Sequence, residues 1–283
     1  GHLWRAAHDS ILPAHAFEDT YIGQRAVKWL REIPDDFPWH YFVSFVGPHN
    51  PFDPPTEFAE HFRHAAMPEA INPTGEGKPP LKKQDGLASA NDILLCRRQY
   101  CAAIEAIDVQ VGEILQTLES RGQRDNTFLI FASDHGEMLG DHGRWTKEVF
   151  YESALRVPLV VAGPGIEAGR RIEALVELID LNPTICDLAG APTLENTDAM
   201  SILPLLSGKA DKIHDDAVSS LRGGRCIRTL DWKLIQHFGG GVELYDLGRD
   251  PDELRNVASE NPSVVRDLAG RLTSRFLEGG CAR

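Results

Sequence analysis

Thr127-Phe128-Leu129-Ile130-Phe131-Ala132 is an unbroken apolar run of strand length, and Ser133-Asp134-His135-Gly136-Glu137-Met138-Leu139-Gly140-Asp141-His142-Gly143 follows it directly. A run with no polar alternation is typical of a parallel strand covered on both faces. Upstream, Ile104, Ile107, Val111, Leu115 and Leu118 recur at helical spacing and predict one face of a long helix, ended by Gly122 and Asp125-Asn126. Downstream, Val157-Pro158-Leu159-Val160-Val161 predicts another strand, its proline near the start where a missing N–H is tolerated. Strands alternating with helices imply an α/β fold with a mainly parallel sheet and helices on both faces.

The same alternation continues outward. Ile22, Ala26, Trp29, Leu30 and Ile33 predict a helix, and Tyr41-Phe42-Val43-Ser44-Phe45-Val46 a buried strand stopped by Gly47-Pro48. Residues 68 to 92 are rich in Pro, Gly, Lys and Asp and predict a long surface excursion bordering a site. Asn182 is expected to cap a helix with Pro183 at its first position and Gly190 past its end. After Gly208 the pattern shortens. Residues 226–230, 232–235 and 242–245 predict short strands, and Val264, Leu268, Leu272 and Phe276 a final amphipathic helix. Two domains are therefore expected, a large α/β domain over 1–208 and a small antiparallel subdomain with one helix over 209–283.

Composition sets limits. With 283 residues, 42% hydrophobic and 25% charged, the chain can bury a substantial core. A formal net charge of -13 argues against general nucleic-acid binding, which needs excess Lys and Arg, but not against a small anionic substrate in a locally positive cleft. No stretch is long and apolar enough to span a membrane. Cys96, Cys101, Cys186, Cys226 and Cys281 match no zinc or redox spacing and are expected as buried or incidental thiols. The odd count leans toward a reducing, cytoplasmic compartment.

Asp134 and His135 stand where the apolar run ends. Neighbouring side chains on a regular strand point to opposite faces, so these two converge only if the strand ends there, and Gly136 frees the backbone to turn. A carboxylate with an imidazole suits a hard or borderline divalent ion. The alternative is a loop whose polar groups satisfy one another. Lys147, thirteen positions after Asp134, and His49 in Pro48-His49-Asn50-Pro51-Phe52 complete a coherent set. The ion and the ammonium would polarise an anionic ester, and His49 would hydrogen-bond a substrate oxygen or leaving group. Arg144 is a candidate for contacting anion oxygens, with a surface role as its alternative. Glu137 and Asp141 are not expected to be ligands.

Phe131-Ala132-Ser133-Asp134-His135-Gly136, Trp145-Thr146-Lys147 and Tyr151-Glu152-Ser153-Ala154-Leu155-Arg156-Val157-Pro158-Leu159 together resemble a block of the sulfatases, members of the alkaline-phosphatase superfamily. Val43 to Phe52 resembles that family's His-bearing strand and loop. Leu178 to Ile185, Asp198 to Leu206, and Glu243-Leu244-Tyr245-Asp246-Leu247 with Asp250-Pro251 and Asn256 resemble its later segments. The resemblance runs from about Tyr21 to Phe276. It implies that Asp134 and His135 ligate the active-site cation, commonly calcium, with manganese or another divalent ion in related phosphonate and phosphodiester hydrolases. It implies that Lys147 contacts the sulfate group and that His49 lies near the ester oxygen. The substrate class implied is a small sulfate ester.

The family's nucleophile is a formylglycine made in a Cys/Ser-x-Pro-x-Arg motif, and none of the 283 residues forms that motif. The nucleophile and further aspartate ligands are expected upstream, and this chain alone is expected to show little turnover and weak metal affinity. Three functions follow: a sulfuric-ester hydrolase, a phosphonate monoester or phosphodiester hydrolase of the same superfamily, or a non-catalytic binding module.

Overall fold

The computed structural model describes residues 6–71, 88–193, 195 and 197–278. The chain divides into two compact units, one built from 1–70 and 84–127, the other from 71–83 and 128–283.

The first unit is helical. Helices α1 (Glu18–Glu32), α2 (Thr56–Phe62) and α3 (Ala90–Ser120) pack together, α1 and α2 each against α3. Gly23, Ala26, Val27 and Leu30 bury one stripe of α1 at the expected spacing. Gly23 is needed there, because a Cβ would lie 2.4 Å from Gln110 Oε1 on α3. A capping box starts α3: Ser89 Oγ accepts the Asp92 amide at 3.1 Å, and Asp92 Oδ2 accepts the Ser89 amide at 3.0 Å. The expected face of α3 is buried at Ile107 and Leu118 and half-buried at Val111 and Leu115, and alanines join it. Ala102, Ala103, Ala106 and Ile107 are buried, whereas Ile104 is exposed. Small side chains let the neighbouring helices approach, which favours these alanines over Ile104 at the contact. The excursion expected over 68–92 falls mainly on 72–87, outside the described residues, and by Ala90 the chain is already helical.

Tyr41–Val46, expected as a strand, is extended but joins no ladder among the described residues. Its exposure alternates, Phe42 being 79% exposed. Side chains hold it instead. Trp29 stacks on Tyr41 with ring centroids 4.2 Å apart, and Asp19 Oδ1 accepts the Val46 amide at 2.8 Å.

In the second unit, β1 (Leu129–Ala132) pairs antiparallel with β2 (Leu159–Ala162), Leu129 opposite Ala162 and Ala132 opposite Leu159. This corrects the mainly parallel sheet expected from the sequence. The one parallel pairing among the described residues is an isolated bridge between Ala7 and Phe52 in the first unit. The covering of both faces expected for the apolar run is not found either, since Leu129 and Ile130 are half-buried and Phe131 and Ala132 exposed; an apolar run carries no information on the direction of the neighbouring strand. Leu159 and Val161 pack on α6 (Leu203–Leu206), while Phe131 and Val160 on the opposite face are 47% and 60% exposed. Between them, α4 (Glu152–Leu155) and α5 (Leu181–Ala189) follow β1 and β2 respectively. Helix α5 starts before the expected cap, with Asp180 preceding it and Pro183 inside its first turn. That position is tolerated because the first four amides have no intrahelical partner. Gly190 ends it at φ 64°.

A four-stranded antiparallel meander follows: β3 (Ala217–Leu221), β4 (Gly224–Arg228), β5 (Trp232–His237) and β6 (Val242–Asp246). Alternation puts Ile227, Leu234 and Leu244 on one face, against Leu268 and Leu272 of α7 (Pro262–Glu278). Cys226, Ile235 and Tyr245 occupy the other face, against Met138, Phe150, Tyr151 and Ala154. Covering both faces is why these strands read as nearly continuous apolar runs. Among the described residues no helix is long and apolar enough to cross a membrane.

Candidate active site

The chain turns sharply where β1 ends. Ser133 Oγ donates to the His135 carbonyl at 2.8 Å, and Asp134 Oδ1 accepts the His135 amide at 2.9 Å. The Gly136 amide donates to the Ala154 carbonyl of α4 at 2.8 Å. This approach leaves no room for a side chain, since a Cβ on Gly136 would lie 2.0 Å from the Ser153 carbonyl oxygen.

The turn brings Asp134 and His135 together, with Oδ2 of one 3.4 Å from Nε2 of the other. His135 Nδ1 lies 2.8 Å from the Gly136 carbonyl oxygen, which can only accept, so Nδ1 carries the proton. In the neutral ring Nε2 then bears a lone pair, which faces a carboxylate oxygen. A lone pair and a carboxylate oxygen facing each other can share a cation, and a backbone carbonyl fixing the far nitrogen is the usual way a ligating histidine is oriented. The Asp134 side chain is 84% exposed, open for a ligand to approach. The pair therefore fits a divalent ion as two of its ligands.

The following loop is strained. Leu139, His142 and Thr146 have φ of 45°, 52° and 64°, values that side chains other than glycine adopt at a cost of about 1–3 kcal/mol each. Glu137 holds it, its Oε1 accepting the Thr146 amide at 2.6 Å and the Leu139 amide at 3.3 Å. Burial pushes the Glu137 carboxyl up, opposed by those amides and by the positive charge of Lys147. Lys147 directly follows Thr146, whose amide Glu137 holds. Asp141 is not available as a ligand, since it accepts the Ile71 amide at 2.9 Å and the Ser153 hydroxyl at 2.8 Å. Arg144 is buried, its guanidinium 6.0 Å from the centroid of the Tyr151 ring, which His142 stacks on from 4.3 Å. Tyr151 is tied in turn to the meander, its hydroxyl donating to Glu243 Oε2 at 3.0 Å.

His49 lies in the first unit, exposed, on the turn after the extended segment. Its Nδ1 is 2.8 Å from the Asn50 carbonyl oxygen. The bonds Gly47-Pro48 and Asn50-Pro51 on either side are cis. Asp19 anchors this turn through the Val46 and Gly47 amides. Its carboxyl is pushed up by burial and drawn back by those two donors. No sequence pattern marks Asp19, because its partners lie 27 and 28 residues away.

Among the described residues one trio of potential ligand atoms lies within 4.8 Å, those of Glu177, Asp180 and His214. These atoms already have protein partners. Asp180 accepts from Met200 at 2.8 Å and from His214 at 2.9 Å, and Glu177 from Val218 at 2.7 Å and Arg275 at 2.8 Å. A guanidinium on Glu177 stands where a metal ion would be repelled, so the trio ties Arg275 of α7 and the start of α5 to β3.

The second unit also buries Lys233 completely. Its ammonium lies 2.6 Å from Glu152 Oε1 and 2.8 Å from Glu253 Oε1, and donates to the Phe150 carbonyl at 3.0 Å. Burial would raise both carboxyls. Lys233 and Arg228 together hold Glu152 below its ordinary value, whereas Glu253, with the one ammonium, stays above. The signal in the sequence was a lysine within the apolar strand Trp232-Lys233-Leu234-Ile235.

The solved structures of similar shape share an alkaline-phosphatase-like fold. A phosphonate monoester hydrolase of Agrobacterium radiobacter superposes with a TM-score of 0.81 at 28% identity, covering 96% of this chain and 62% of that one. A protein solved in complex with its substrate D-glucosamine-2-N,6-O-disulfate superposes with a TM-score of 0.83 at 21% identity, covering 94% of this chain and 70% of that one. The chain belongs to the sulfatase family, whose model matches residues 9–191. A second model, N-sulphoglucosamine sulphohydrolase, C-terminal, matches 140–278. The choline-sulfatase of Rhizobium meliloti (strain 1021) is 34% identical over 266 residues, covering 87% of this chain and 52% of its own. Human arylsulfatase K is 31% identical over 290 residues, covering 88% and 54%. The chain thus spans about half the length of the curated relatives it matches.

Proposed function

We propose that this chain supplies the cation- and sulfate-binding part of a sulfuric-ester hydrolase. The reading rests on one observation: His135 Nε2, its lone pair set by the Nδ1 contact to Gly136, faces Asp134 Oδ2 at 3.4 Å. Asp134 and His135 hold a divalent cation, Ca2+ by the family resemblance, with Mn2+ or another divalent ion as the alternative. When bound, such an ion polarises the ester oxygens and stabilises the charge that develops on them. Lys147 adds an ammonium for the sulfate oxygens, and Glu137 holds the loop that presents it. Arg144 orders Tyr151 and adds positive charge behind the loop. The family resemblance gives His49 the role of hydrogen-bonding the ester or leaving-group oxygen. Attack on sulfur is assigned to no residue of this chain, because Cys/Ser-x-Pro-x-Arg does not occur in it. The meander β3–β6 and α7 form the accessory part of the second unit.

A second reading, a phosphonate monoester hydrolase, is favoured by the 28% identical solved structure bearing that name. Sulfate and phosphonate monoesters share tetrahedral geometry and anionic oxygens, so a cation and a lysine serve either. Initial rates of the full natural protein on paired aryl sulfate and aryl phosphonate substrates, with Ca2+ or Mn2+, decide between them. Faster sulfate hydrolysis is expected. A phosphonate preference selects the second reading, and turnover of neither overturns both.

A further inference from the structure

We propose that Lys233 is a positioning residue for the Asp134–His135 pair, acting through α4. The inference rests on the reading of that pair as cation ligands. Lys233 sits on β5, 83 residues beyond Phe150, yet its ammonium touches the Phe150 carbonyl just before α4 and the Glu152 carboxylate at its first residue. Glu253 closes the arrangement, its Oε1 forming an ion pair with the Lys233 ammonium at 2.8 Å and its Oε2 accepting the Glu152 amide at 2.7 Å. Glu253 has φ of 53°, a conformation that the fold holds in place around this contact. Arg228, on β4, adds its Nε at 3.3 Å from Glu152.

Helix α4 has four residues and is too short to hold its own position. Its opposite side is the surface against which the candidate site is built. The Ala154 carbonyl takes the Gly136 amide at 2.8 Å, and the Ser153 hydroxyl donates to Asp141 at 2.8 Å. The missing Cβ of Gly136 lets the turn press against the Ser153 carbonyl. Gly136 directly follows His135, and its carbonyl sets the imidazole through Nδ1. A movement of α4 therefore shifts the Gly136 backbone and with it the facing Nε2 and Oδ2. A fully buried ammonium bound to three oxygens is a rigid anchor for such a lever, because every alternative position leaves buried charge unpaired.

The test uses the full natural protein and two readouts besides turnover: Mn2+ affinity by electron paramagnetic resonance, and hydrogen exchange of the peptide carrying the Gly136 amide. Asp134→Asn tests the ligand reading alone, and an unchanged Mn2+ affinity there overturns that reading. For Lys233→Met the expected result is an affinity about tenfold weaker, the scale seen when a group orienting a metal ligand is removed, with faster exchange at Gly136. Lys233→Arg, which keeps the charge, is expected to recover part of both. Lys233→Met with wild-type affinity and exchange, alongside a weakened Asp134→Asn, overturns the positioning role while the ligand reading stands. Should Lys233→Met not fold, Glu152→Gln, which leaves Lys233 its contacts with Glu253 and Phe150, is measured the same way. Wild-type affinity and exchange in that variant overturn the proposal.

Discussion

The Asp19 carboxylate takes the Gly47 amide through both oxygens, at 3.2 and 3.1 Å, and a Cβ on Gly47 would lie 2.4 Å from Oδ2. The turn bearing His49 is therefore set by a side chain from α1 and not by a β-ladder. Asp19→Ala leaves the Val46 and Gly47 amides without their acceptor in a largely buried place. A loss of about 2–4 kcal/mol is expected, from the cost of orphaning two such donors. Denaturant unfolding measures it, and a loss under about 0.5 kcal/mol would show that water replaces the carboxylate without penalty.

Gly136→Ala places a methyl group against the Ser153 carbonyl, which is backbone and cannot swing aside. The turn must move. A destabilisation of about 1–3 kcal/mol is expected from the forced contact, with a larger proportional loss in cation affinity than in stability. Thermal melting beside Mn2+ titration checks this. An alanine variant that binds Mn2+ as well as the parent would show that the close approach is incidental.

The buried charges around Lys233 give stability a pH dependence. Lys233 and Arg228 hold Glu152 below its ordinary value of 4.5 against the opposing effect of burial. Between the depressed native value and 4.5 the unfolded chain binds more protons at this site, so stability rises with pH there. The contribution is fully present above 4.5 and is lost as pH falls through the native value. Glu152→Gln is expected to flatten the acid limb of a plot of Tm against pH. A limb as steep as the parent's would remove Glu152 as its source.

Burial pushes the Cys226 thiol up to about 12, partly offset by Lys233. At pH 8 almost none of it is thiolate, and the side chain lies within the core that the meander shares with Tyr151 and Met138. Alkylation at pH 8 is expected to leave Cys226 unmodified in the folded protein and to reach it on unfolding. Peptide mass spectrometry after brief labelling checks this, and rapid native-state modification would contradict the burial.

Lys233 shows how far the sequence could be read. The strand carrying it was legible, as were α1, α3, α7 and the run at 129–132, because each obeys a local periodicity or carries its own turn and capping residues. The Asp134–His135 turn was legible for the same reason, with an apolar strand, two ligand types and a glycine consecutive in the chain. The direction of β1 against β2 was not, since pairing depends on a segment 27 or more residues away. Nor was the burial of Arg144, a residue type that is usually exposed.

Local order along the chain determined which segments are helices and strands, and placed a carboxylate, an imidazole and a lysine within fourteen residues of one another. Tertiary structure alone decided what holds them: Asp19 on the His49 turn, Glu137 beneath the strained loop, and Lys233 against α4. Periodicity and motif spacing are properties of near neighbours. A buried charge is stabilised by groups that folding brings in from tens of residues away, and no local pattern encodes that meeting.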